Sequence, residues 1–136
     1  MAADPSQLRF YADESALGIG RTLEVARRDV VHPGHKFMPE CPLGSLDTEW
    51  IPRVAVRGLI VISRDRRIRT KPAELALLRE HRLRVLWIAG KKDLSTWDTL
   101  ARLVRRWDDI ENEIARRRTG PWFLAVQEKS LVELDV

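Results

Sequence analysis

Residues 59–63 read LIVIS and run directly into Arg64 and Asp65. Five apolar-to-small residues without polar alternation suit a strand buried on both faces, which is the habit of a parallel sheet. Reading outward, residues 46–57 (LDTEWIPRVAVR) predict a helix with Trp50, Ile51, Val54 and Ala55 as its apolar stripe. Asp47 or Ser45 would cap it, Pro52 is tolerable near its first turn, and Gly58 stops it. After LIVIS comes a basic loop, RDRRIRTKP, then a helix over 72–81 and a strand over 83–89 (LRVLWIA). Residues 93–118 carry the strongest helical pattern, with Trp97, Leu100, Ala101, Val104, Trp107, Ile110 and Ile114 at steps of three and four. STWD at 95–98 resembles a capping box. Residues 122–126 (WFLAV) predict a last strand, and 127–136 read as a polar C-terminal tail.

Upstream, residues 1–7 read as a loose tail and 8–12 (LRFYA) as a first strand. Ser15 would cap a helix over 16–28, and 29–32 (DVVH) would be a second strand. Residues 33–45 hold three Pro and two Gly, the composition of a structured loop. Strand and helix alternate throughout. The expectation is therefore one domain over 1–136, three-layer α/β/α, with a mainly parallel central sheet and right-handed crossovers.

Composition agrees. The chain has 136 residues, 44% hydrophobic and 32% charged, enough apolar residue for a core and too much for a disordered chain. The apolar stretch 58–62 is far short of a membrane span, and MAADPSQLRF lacks the basic-then-apolar order of a secretion signal. A lone Cys41 excludes an internal disulfide. Together these predict a cytoplasmic protein with no membrane partner. Arg supplies 19 of the 24 basic residues, and the net charge is +4. Its planar fork suits phosphate, so the charge favours a polyanionic partner.

In open α/β sheets, functional groups gather at the carboxyl ends of strands. Asp13 and Glu14 end the first predicted strand, and Asp65 follows LIVIS by two residues. Asp47 opens the helix before LIVIS, on the same edge in a right-handed unit, with Glu49 nearby. Carboxylates crowded in this way are costly unless a cation stands between them, and hard oxygen donors select Mg²⁺ or Mn²⁺. Without that cation Asp13, Asp47 and Asp65 should repel one another, so Asp65→Asn should raise stability or leave it unchanged. Arg64, Arg66, Arg67 and Arg69 around Asp65 could hold a phosphate backbone.

The order FYADES (10–15), DVVH (29–32), PLGSLDTEWI (42–51) and VISRDRRI (61–68) resembles the PIN-like nucleases over about residues 9–88. The closest likeness is to the small VapC-type toxins of prokaryotic toxin–antitoxin pairs. The resemblance implies a Mg²⁺- or Mn²⁺-dependent endoribonuclease, with Asp13, Asp47 and Asp65 as catalytic metal ligands and Glu14 beside them. It also implies a cognate antitoxin protein and a single-stranded or structured RNA as partners, and leaves a homodimer open. Larger PIN domains carry one more acid, for which Asp93 and Asp98 are the candidates.

Two other functional classes compete. A phospho-acceptor receiver domain would use an acidic pair, a central Asp and a late Lys, here Lys91 or Lys92. A non-catalytic binding module would keep the fold and only a protein partner. Lesser signals point elsewhere. His32, His35 and Cys41 offer three of the four ligands a structural zinc wants. Gly18 and Gly20 lack the third Gly of a dinucleotide fingerprint. Trp50, Trp87, Trp97 and Trp107 are expected in packing, and Trp122, beside Pro121, is a candidate for base stacking.

Overall fold

The computed structural model describes residues 3–90 and 94–136. It forms a six-stranded sheet whose chain order is β1 (Phe10–Ala12), α1 (Leu17–Ala26), β2 (Val30–Val31), α2 (Asp47–Val56), β3 (Ile60–Ser63), α3 (Arg67–Thr70), α4 (Pro72–Glu80), β4 (Arg84–Ile88), α5 (Thr96–Arg116), β5 (Trp122–Val126) and β6 (Leu131–Leu134). The strands lie in the order β2-β1-β3-β4-β5-β6. The first five are parallel, and β6 is antiparallel to β5.

Strand alternation divides the core in two. Phe10, Ala12, Ile60, Ile62, Leu86 and Ile88 face one way and pack on α1 and α5 through Ile19, Leu23, Leu103 and Ile110. Tyr11, Val61, Val85 and Phe123 face the other way and pack on α2, α3 and α4 through Trp50, Ile51, Val54, Ile68 and Leu78. The sheet is thus covered on both sides, which is why β3 carries no polar alternation. The expected α/β/α layering is what the chain adopts. At Gly20, α1 comes so close to the sheet that a Cβ would stand 2.8 Å from Ala12 Cβ and 3.0 Å from His32 Cβ.

Several local expectations are corrected. The polar residues 127–136 are not a tail: Leu131–Leu134 pair with β5, and the Gln127 amide donates to the Ser130 carbonyl in the hairpin. The apolar residues Leu131 and Leu134 are spaced among charges that hid the strand. Residues 3–7 are not loose either, since Ala3 is buried and the Asp4 amide donates to the Arg28 carbonyl at 2.8 Å. The basic loop contains the short helix α3. In α2 neither Ser45 nor Asp47 caps: Leu46 is the N-cap, and its amide is taken by Glu49 Oε1 at 2.8 Å. Pro52 lies beyond the first turn, and the carbonyl it leaves unserved belongs to exposed Thr48.

The cap of α5 is as expected, with the Asp98 amide donating to Ser95 Oγ at 3.0 Å. Its buried stripe is narrower than predicted and runs through Thr99, Leu103 and Ile110. Trp97, two residues before Thr99 and so about 200° around the helix, is 76% exposed. Trp122 is buried in β5 and donates its indole N–H to the Arg117 carbonyl, so it has no face to offer a base.

Candidate active site

The chain leaves β1 toward β2 on one side, while β3 lies on the other. The carboxyl ends of β1 and β3 therefore form the topological switch point of the sheet, where a crevice opens. A cleft of about 330 Å³ stands there, lined among others by Asp13, Glu14, Ser15, Asp47, Asp65 and Arg67. Each acid arrives by a different local route. Asp13 directly follows β1 and joins β3 through its amide, which donates to the Ile62 carbonyl. Asp65 follows β3, and its amide donates to Ser63 Oγ at 2.9 Å. Asp47 is the first residue of α2, and Glu14 begins the helical turn after Asp13.

Asp13 is the most enclosed of the four, at 5% exposure. Its Oδ1 accepts the Ser15 hydroxyl at 2.5 Å. Burial pushes its carboxyl up to about 6 against the pull of hydrogen bonds from Ser15 and Ser63, and the Asp65 charge adds to the rise. No described Arg, Lys or His forms an ion pair with it. Asp65 is the opposite case. Burial pushes it up, but the Arg67 side chain and amide outweigh this and hold its carboxyl below the usual range. The Arg67 amide and Nε donate to Oδ1, both at 2.9 Å, and Nη2 donates to Oδ2 at 3.0 Å. Asp65→Asn would thus relieve repulsion on Asp13 but also remove the pair with Arg67, so the expectation that it keeps or gains stability is corrected: this carboxylate already has a cation, and the one pushed up is Asp13.

The other two acids also have protein donors. Trp50 Nε1 donates to Asp47 Oδ1 at 2.8 Å, and the Gly44 amide donates to Glu14 Oε1 at 2.6 Å. Among the described residues, no three His, Cys, Asp or Glu side chains converge closely enough to hold an ion between them. As metal donors the cleft nevertheless presents hard oxygens, carboxylates with the Ser15 hydroxyl, around a buried acid that pairs with no cation among the described residues. That donor set fits Mg²⁺ or Mn²⁺.

Of the four arginines expected to hold RNA, only Arg67 lines the cleft. Arg64 donates to the Leu94 carbonyl, and Arg69 to the Asp135 carbonyl while lying 5.8 Å from the Phe123 ring centre. Arg66 is exposed beside α3. Glu49 is used by the N-terminus of α2 and does not line the cleft. Asp98 is exposed in the first turn of α5 and does not line it either, while Asp93, Lys91 and Lys92 lie outside the described residues. The zinc candidates are otherwise engaged. His35 Nδ1 accepts the Phe37 amide, so Nε2 is the protonated nitrogen and donates to Glu24 at 3.1 Å; Cys41 is buried and free.

Residues the pattern of acids did not single out complete the site. Ser15 and Ser63 stand two residues from Asp13 and Asp65, a spacing at which a hydroxyl reaches the neighbouring backbone or side chain. Trp50 stands three residues after Asp47, one helical turn on, and orients it.

A family profile described as PIN like domain matches residues 8–90, and the chain belongs to this family. Comparison with curated proteins gave no match, and comparison with solved structures gave none. PIN domains are generally nucleases, and the match spans β1 to β4 and hence all four acids of the cleft. It leaves no place for the receiver reading. No helix among the described residues is long and apolar enough to cross a membrane.

Proposed function

We propose that this protein is a Mg²⁺- or Mn²⁺-dependent endoribonuclease of the VapC type, the toxin of a toxin–antitoxin pair. The observation that carries the reading is the meeting of Asp13, Glu14, Asp47 and Asp65 in one cleft at the switch point, where the buried Asp13 pairs with no cation among the described residues. Asp13, Asp47 and Asp65 would hold the ion, with Glu14 at its side. When bound, the ion supplies an activated water at neutral pH and stabilises charge on the phosphodiester oxygens. The chain's own part is to fix the donors. Ser15 holds Asp13, and the Ser63 hydroxyl, 3.3 Å from that of Ser15, receives the Asp65 amide. Trp50 turns Asp47 toward the cleft, and the 33–45 loop contributes Pro33, Pro42 and Ser45 as its wall. Arg67 is the cation placed to meet a phosphate, with Arg66 exposed beside it.

The deciding assay is cleavage of single-stranded RNA with Mn²⁺, with EDTA, and in Asp13→Asn. The reading expects cleavage only in the first; cleavage that survives EDTA or survives in the variant would remove it. A cognate antitoxin would cover the acidic edge, and its co-expression should relieve a growth defect caused by the protein alone. If the protein alone is harmless, the toxin role falls and a nuclease role can stand. A non-catalytic PIN-like module draws on one observation, that Asp65, Asp47 and Glu14 each already have a protein donor. A melting temperature that ignores Mn²⁺ would favour it.

A further inference from the structure

We propose that Arg67 is a built-in counter-cation of the cleft, which occupies Asp65 when no metal is bound and must leave it for an ion to enter. This rests on the metal-dependent reading above. The geometry is that of a blocked ligand. Both oxygens of Asp65 face Arg67, one of them receiving the amide and Nε, the other Nη2. A fork of this kind takes the face of a carboxylate that a bidentate metal contact would use, so the fork and an ion compete for it. The carboxylate is the fixed partner, with its side chain 23% exposed and its own amide pinned on Ser63 Oγ. The guanidinium is the mobile one, with its side chain 68% exposed. Arg67 therefore leaves at little packing cost, whereas Asp65 could turn away from the cleft only by giving up the Arg67 amide on its Oδ1.

The pull on Arg67 is mainly from Asp65, with smaller attractions to Asp47 and Glu74. Arg67 lines the same cleft as Asp47 and Asp13, two further acids that would bind the ion. It makes the empty cleft less repulsive and sets a threshold of cation concentration below which the site stays closed. The first residue of a four-residue helix is suited to this, since its backbone is held while its side chain remains outside the core.

The test is calorimetric titration of the full chain with Mn²⁺ alone, together with melting curves without and with saturating Mn²⁺. Arg67→Gln should bind Mn²⁺ about three- to tenfold more tightly than the parent. It should melt lower than the parent without metal, with the gap closing as metal saturates, because the contact exists only in the empty state. Arg66→Gln removes the same charge one residue away without touching Asp65 and should change affinity by less than about twofold, the share owed to charge at a distance. Arg67→Lys, which keeps the charge and loses the fork, should fall between. Equal tightening in Arg66→Gln and Arg67→Gln would reduce the effect to net charge and overturn the proposal, as would unchanged or weaker binding in Arg67→Gln. Absence of Mn²⁺ binding by the parent and every variant would instead overturn the metal-dependent reading itself, and this inference with it.

Discussion

The two ends of the parallel strands handle acids in opposite ways. At the amino ends, Arg9 donates to both oxygens of Glu111 at 2.9 and 2.6 Å and reaches Asp29 at 3.4 Å. Arg27 grips Asp29 with two nitrogens at 2.8 and 2.9 Å and lies over the Trp107 ring. A hollow of about 610 Å³ stands at this end, lined in part by Arg9, Arg27 and Asp29. The side-chain hydrogen bond from Arg9 holds the Glu111 carboxyl below its usual range. At the carboxyl ends, Asp13 has the Ser15 hydroxyl and no cation among the described residues, and its carboxyl is pushed up. Charge at one end is neutralised within the chain, while at the other it is kept partly unneutralised. An acid held in that way costs stability, which is why such groups mark working sites. The size of a hollow does not distinguish the two ends; the state of its acids does.

The largest contrast should be in activity. Asp13→Asn should lower RNA cleavage by at least about a thousandfold, what the loss of several kcal/mol of charge stabilisation means. Glu111→Gln should leave it within about twofold in the same assay. Equal losses in the two variants would erase the difference between the ends.

Stability should move the other way. The folded Asp13 carboxyl titrates at about 6 against an ordinary value of 3.8, so between these the folded state binds more protons. Its contribution is therefore a destabilisation that grows as pH rises through that window and is complete above it. Asp13→Asn should raise stability in metal-free urea unfolding at pH 7, by up to about 3 kcal/mol, and the gain should vanish near pH 4. Asp65 has the opposite sign. Its lowered carboxyl contributes stability present at neutral pH and lost as pH falls through the folded value, so metal-free Asp65→Asn should be less stable at pH 7. A gain of stability in Asp65→Asn with a loss in Asp13→Asn would reverse the assignment of which acid is strained.

A smaller effect tests the support of the cleft. Ser63→Ala removes the acceptor of the Asp65 amide and the hydroxyl that neighbours Ser15, and should cost about 1–2 kcal/mol in the same unfolding measurement. A neutral substitution would mean that water replaces the hydroxyl and that Ser63 does not position the acids. The smallest change belongs to the amino end. Glu111→Gln should cost at most about 1 kcal/mol, and repeating the titration in 1 M NaCl should abolish the difference. A larger loss that salt does not touch would make this network part of the core.

What could be read along the chain and what could not differ by kind of interaction. β3 was legible because burial on both faces leaves a continuous apolar run, and α5 because its cap and its period are local. β6 was hidden because an edge strand buries only part of each side chain, so Leu131 and Leu134 stand among charges. Trp97 was misjudged for a related reason, since periodicity marks a stripe without saying which part of it meets the sheet, and Trp122 because its neighbour Pro121 says nothing of its burial in β5. Asp13, Asp47 and Asp65 were found because their positions at strand ends and a helix start follow from chain direction alone.

The sequence by itself determined the layered α/β architecture and which acids stand on the carboxyl edge, because hydrophobic period and strand direction are properties of short segments. Only the tertiary structure decided the electrostatic state of each acid. Asp13 is strained, Asp65 is paired with Arg67, Asp47 is held by Trp50, and Arg64 and Arg69 are drawn away by the Leu94 and Asp135 carbonyls. Ionisation energies depend on burial and on partners within a few ångströms, and folding alone determines which groups come that close.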